Sequence, residues 1–150
     1  MVDLARPPRS HCPINFGLEV FGDGWSLLIL RDLLIERKTS FSEFRASAEG
    51  IATNVLADRL RRLEAAGLIG REPARTDRRQ VTYSATAAGQ ALLPVLVELV
   101  YWGAMHDPET AAPAEFVASY RADRAGLLRD MKNTGRPGSA LPQPAAAGGA

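Results

Sequence analysis

The chain has 150 residues, 46% of them hydrophobic, and a formal charge of +1. These values fit one globular domain with a modest core plus a tail, and exclude a polycation that binds nucleic acid by bulk charge alone. A single cysteine, Cys12, excludes an intrachain disulfide framework and a zinc site built on several cysteines, and it points to a reducing compartment.

The first residues lack the apolar run of a signal peptide, and no later stretch reaches the roughly 18 consecutive apolar residues of a spanning helix, so a cytoplasmic protein is expected. Taken in chain order, residues 1–11 read as a flexible arm. Pro13 to Phe21 reads as a helix that ends at Gly22-Asp23-Gly24. A second helix begins at Trp25, with so much apolar surface around its cylinder that it should be buried on several sides as the central core helix. Thr39 or Ser40 caps or precedes a short helix from Ser42 to about Ser47, and Glu49-Gly50 makes a tight connection. From Thr53 to Ala66, Leu56, Leu60 and Leu63 follow the helical period, with Gly67 at the expected C-terminal cap.

The pattern then changes. Val81 and Tyr83 alternate with Gln80, Thr82 and Ser84, the period of a strand with one buried face, so 68–84 reads as a hairpin with a basic tip. Thr86 caps a long apolar helix from about Ala87 to Met105, with a kink expected at Pro94. A final amphipathic helix runs from about Pro113 or Ala114 to Lys132. Residues 135–150, rich in Gly, Pro and Ala, read as a disordered tail.

A short helix, a turn, an amphipathic helix and a hairpin make a mainly α fold with a small β-hairpin wing, the order of a winged helix-turn-helix. With Leu56 at the centre of the buried face, a step of about 100° per residue sets Asn54, Asp58, Arg61 and Ala65 opposite, with Ala57 and Arg62 at the margins. Thr53 and Asn54 are best placed for base edges, because a recognition helix presents its N-terminal turns to the groove. Asp58 can accept from a cytosine amine, while Arg61 and Arg62 suit phosphate. At the hairpin tip Arg75, Arg78 and Arg79 crowd together as a clamp on the phosphate backbone, with Asp77 ordering the turn.

Several stretches carry a resemblance: Cys12-Pro13-Ile14, Gly22 through Leu34, Phe41-Ser42-Glu43-Phe44, Gly50 through Ile69, Tyr83 through Gly89, and Trp102-Gly103. Over about Cys12 to His106 the chain resembles the HxlR-type family of bacterial winged helix-turn-helix transcriptional regulators, relatives of the MarR group. The resemblance implies a homodimeric transcription regulator on double-stranded DNA, here expected to be a repressor on a palindromic operator, with 12–106 as the DNA-binding domain with dimerisation helices and 107–134 as a helical extension. Many members carry Ser-Pro-Lys where this chain has Ala52-Thr53-Asn54. Either Thr53 therefore serves as the cap or the helix end is less well closed. The resemblance also raises a redox-sensor role for Cys12, against which an inert buried thiol is the favoured alternative.

Trp25, Tyr101 and Trp102 either line a ligand pocket or fill the core or a dimer interface. A small-molecule or redox effector is left open on these grounds. No enzyme is expected, since there is no phosphate loop, nucleophile elbow or metal-ligand pair at working spacing; no metal and no cofactor are expected either. A winged helix serving only protein contacts would not need arginines on both the helix face and the hairpin tip. The dimer is expected to be joined by the N-terminal segment and the helices between Ala87 and Lys132, because the apolar residues from Leu92 to Trp102 occupy more faces than one winged domain covers.

Overall fold

A computed structural model describes Val2, Leu4 and residues 6–134; the expected tail over 135–150 lies outside the described residues. The elements run α1 (Pro13–Phe21), α2 (Ser26–Leu34), α3 (Phe41–Arg45), α4 (Thr53–Ala65), β1 (Ile69–Pro73), β2 (Val81–Ala85), α5 (Ala87–Gln90), α6 (Leu93–His106) and α7 (Ala114–Thr134). The strands β1 and β2 pair antiparallel, Ile69 opposite Ala85 and Pro73 opposite Val81. This is the winged helix-turn-helix expected from the sequence.

The core forms around α2, whose Ile29, Leu30, Leu33 and Leu34 are all buried. Phe44 of α3, Leu56, Leu60 and Leu63 of α4, and Leu96 and Val97 of α6 join the same cluster. The buried leucines of α4 are those of the helical stripe, so the exposed face follows directly from their spacing. Gly67 closes α4 with φ of +73°, a conformation that costs glycine nothing. Its amide donates to Glu64 O at 2.9 Å while Leu68 N donates to Leu63 O at 3.0 Å, the paired bonds of a Schellman ending. The chain thereby turns from the recognition helix into the wing within a few residues.

Two helices depart from the expected pattern. The apolar run from Ala87 to Met105 is not one kinked helix: α5 ends at Gln90 and α6 starts at Leu93, with Pro94 in its first turn. There the missing N–H of proline leaves no helical bond unmade, so the residue initiates a helix instead of bending one. Composition alone makes Ala87–His106 apolar enough to cross a bilayer. Yet the 14 residues of α6 rise only about 21 Å at about 1.5 Å each, short of the roughly 30 Å of a bilayer core. The second departure is in α7, which is interrupted at Asp123 (φ −154°, ψ 83°); Asp123 Oδ1 accepts from Gly126 N at 2.8 Å and restarts the helix as a cap would.

Packing of α6 against α7 is fixed by polar as well as apolar contacts. The Tyr101 and Tyr120 rings stack with centroids 3.9 Å apart. Tyr120 Oη donates to Glu98 Oε2 at 2.7 Å, and Arg124 donates to the other oxygen of the same carboxylate. Those two donors, Tyr120 first, hold the Glu98 carboxyl below its ordinary range.

Candidate nucleic-acid interface

The short helix α3 is set by its cap. Ser40 Oγ accepts from Glu43 N at 3.3 Å, and Glu43 Oε2 accepts from Thr39 N at 2.8 Å and Ser40 N at 2.9 Å. The Ser-x-x-Glu spacing of residues 40–43 is the signal of this capping box, and it decides for Ser40 over Thr39. Those backbone donors, Thr39 first and then Ser40, keep the Glu43 carboxyl charged to lower pH than usual.

Behind the turn that joins α3 to α4 lies a buried carboxylate. Asp32 is 3% exposed, a burial that a charge tolerates only when paired. Its Oδ1 accepts from Arg31 at 2.7 and 3.0 Å, and its Oδ2 from Lys38 Nζ at 3.1 Å and from Ser47 Oγ. Arg31 reaches on to Glu49. The core helix, the loop after it and the turn before the recognition helix are thus joined in one network. Arg31, Lys38, Ser47 and Glu49 are not legible as site residues in the sequence, where nothing marks partners 6 to 18 positions apart.

A second tie runs from α4 itself. Arg59 Nε donates to Asp23 Oδ1 at 3.0 Å, and Asp23 also accepts from Trp25 N at 2.8 Å and Ser26 N at 3.0 Å at the start of α2. Burial works against the Asp23 charge, but hydrogen bonds from Ser26, the Trp25 and Ser26 amides and Arg59 outweigh it, and the carboxyl sits below its ordinary range.

On the side away from these ties, α4 turns its other face outward. Thr53, Asn54, Arg61, Arg62 and Ala65 are exposed, while Ala57 and Asp58 are half-buried. The helix begins at Thr53 after an Ala52 cap without a side-chain hydrogen bond, so Thr53 is the first helical residue and not its cap. Asp58 is already engaged: Arg59 donates to its Oδ2, Arg62 Nε lies 3.2 Å away, and Arg61 Nη2 lies 3.5 Å from Oδ1. In the hairpin, Arg75, Arg78 and Arg79 are all exposed. Asp77 orders the tip, its Oδ1 accepting from Arg79 N at 3.0 Å and its carbonyl from Gln80 N at 2.9 Å. Arg71 of β1 approaches Glu64 of α4 to 3.9 Å, a link between strand and helix.

The fold has clear counterparts. Residues 20–111 match the HxlR-like helix-turn-helix family. The chain belongs to that family. As an HxlR-like protein it is an HTH-type transcriptional regulator, and its relatives are transcriptional regulators and not enzymes. It is 31% identical over 126 residues to the uncharacterized HTH-type transcriptional regulator YybR of Bacillus subtilis (strain 168), covering 84% of this chain and 93% of YybR. It is 33% identical over 102 residues to YdeP of the same organism, covering 68% of this chain and 79% of YdeP. Among solved structures it is similar to the redox regulator HypR in its oxidized form, with a TM-score of 0.55 and 34% identity over 63% of this chain and 97% of HypR.

The remaining sequence-predicted residues fall elsewhere. Cys12 caps α1 and is exposed, contrary to the buried thiol expected, because α1 packs no residue fully into the core. Arg9, near it in sequence, pairs with Glu19. Trp25, Tyr101 and Trp102 do not converge on one pocket: Trp25 packs on the core cluster, Tyr101 stacks on Tyr120, and Trp102 lies exposed against His106.

Proposed function

We propose that this regulator binds a palindromic operator as a homodimer and represses transcription. In this reading Thr53 and Asn54 read base edges, with Ala57 and Asp58 beside them at the groove, and Arg61, Arg62, Arg75, Arg78 and Arg79 hold phosphates. The observation that carries the reading is the joint exposure of the α4 arginines and the wing-tip arginines, where Asp77 is engaged in ordering the tip and Asp58 alone faces the α4 arginines. Such a protein works in the cytoplasm, where its DNA is.

Pairing is supported by apolar surface that one chain leaves uncovered. Ile14 and Leu18 of α1 are 75% and 54% exposed, and Leu99 and Trp102 of α6 are 48% and 63% exposed. A second copy covering these faces would set two recognition helices about 34 to 36 Å apart, or a multiple of that, to match two half-sites. Selection of bound fragments from genomic DNA tests the reading: a two-fold symmetric site upstream of regulated genes is expected, and recovery without sequence enrichment would overturn it.

The exposed Cys12 beside the apolar α1 face favours a second reading, in which its thiol controls that DNA binding; the similar HypR is a redox regulator. A peroxide would oxidise the thiol to a sulfenic acid with release of water. Peroxide should then change operator affinity in the native chain and not in Cys12→Ser, and an identical response in both excludes the role.

A further inference from the structure

A cavity of about 350 Å³ opens where the end of α2, strand β2, the α5–α6 junction and the last turn of α7 meet, within the size range of small-molecule sites. Leu33, Leu93 and Met131 supply apolar wall, and Tyr83 closes the side toward the wing. Arg37 and Lys132 bring positive charge to it, and no carboxylate lines it among the described residues.

Arg37 is held there at some conformational cost. It takes φ of +57°, a left-handed backbone that side chains with a Cβ disfavour, and such strain clusters at ligand sites. Its Nη2 donates to the carbonyls of Lys132 at 3.0 Å and Met131 at 3.4 Å, which fixes the guanidinium at the cavity while its other nitrogens make no further hydrogen bond among the described residues. The C-terminus of α7 contributes roughly half a negative charge. Two full cations outweigh it, so the cavity favours an anion.

The walls also reach the DNA-binding elements. Tyr83 N donates to Thr39 O at 2.7 Å, just ahead of α3, and the Tyr83 ring meets Phe44 of α3 edge-on with centroids 5.9 Å apart. A ligand that displaces Tyr83 would therefore act on the segment ahead of α3 and on Phe44. We propose that this cavity binds a small organic anion, an aliphatic or aryl carboxylate, as an effector of DNA binding; the effector part rests on the DNA-binding reading above.

Calorimetry of the full chain with phenylacetate and hexanoate tests the site without DNA. Saturable binding of one carboxylate per chain is expected, with the neutral phenylacetamide at least about tenfold weaker, as befits a ligand without the charge that strengthens the hydrogen bond. Arg37→Gln should weaken binding by about tenfold. Because Arg37 also holds the end of α7, Lys132→Gln serves as the second variant: its side chain is exposed, and a severalfold loss is expected. No saturable binding of either carboxylate, equal binding of phenylacetamide, or wild-type affinity in Lys132→Gln overturns the site. In a second arm the bound carboxylate should change DNA affinity by about fivefold or more. Binding without such a change overturns the effector role, whereas a chain that binds no DNA at all overturns the DNA-binding reading and leaves the calorimetric result standing.

Discussion

Arg59 of the recognition helix α4 and Asp23 of the turn that leads into the core helix α2 meet at 3.0 Å. Their pairing ties α4 to the start of α2, beside the buried Leu56, Leu60 and Leu63 that set which face α4 presents. Asp23→Asn keeps the shape but loses the charge, and should cost up to about 1.5–3 kcal/mol of stability, the range for hydrogen bonds to a charged group.

A pH dependence follows from the same residue. The folded-state carboxyl of Asp23 titrates below its ordinary value, so its contribution is fully present above that ordinary value and is lost as pH falls through the folded one. Urea unfolding across the acid range should show stability falling toward low pH in the native chain, and a shallower fall in Asp23→Asn. Parallel curves for the two would mean that the pair contributes nothing.

Gly89 offers a sharper test of packing. A Cβ at this position would lie 2.0 Å from the carbonyl oxygen of Leu68, a backbone atom that cannot swing away. Gly89→Ala should destabilise by at least about 1–3 kcal/mol, as overpacking does, visible as a lowered thermal midpoint. An unchanged midpoint would show that α5 can slide off the start of the wing.

Much of this architecture is legible in the sequence because it is local. The Leu56, Leu60 and Leu63 stripe with Gly67 marks α4 from end to end, and the alternation around Tyr83 marks the second strand. What is not legible depends on distant partners. Nothing near Pro94 tells whether it kinks a helix or starts one, and the close approach of Gly89 to the Leu68 carbonyl is equally invisible in the sequence. Likewise Asp32 reads as one more position of an apolar helix until Lys38 and Ser47 fold onto it. The spacing of α4 shows its exposed face, but not that Asp58 is engaged by arginines one, three and four residues away, which depends on the rotamers those side chains adopt.

That engagement bears on affinity. Asp58 competes with phosphate for Arg61 and Arg62, so Asp58→Asn should raise affinity for DNA of any sequence and steepen its salt dependence. Arg61→Ala should weaken binding to most sequences, and Asn54→Ala should change base preference instead. Anisotropy titrations on operator and scrambled duplexes separate these outcomes; an equal loss on both for Asn54→Ala counts against direct readout.

Replacing Arg75, Arg78 and Arg79 together by Ala should lower the slope of log affinity against log salt by about 0.9 for each phosphate left without its arginine. Folding should change little, since all these side chains are exposed. An unaltered slope would place the tip in solvent.

Sedimentation equilibrium of the full chain, alone and with a duplex carrying the selected operator, reaches the central claim most directly. Two chains in the free state at micromolar concentration and two chains per duplex are expected, through the surface that exposes Ile14, Leu18, Leu99 and Trp102. A monomer in solution that occupies a single half-site per chain would contradict it.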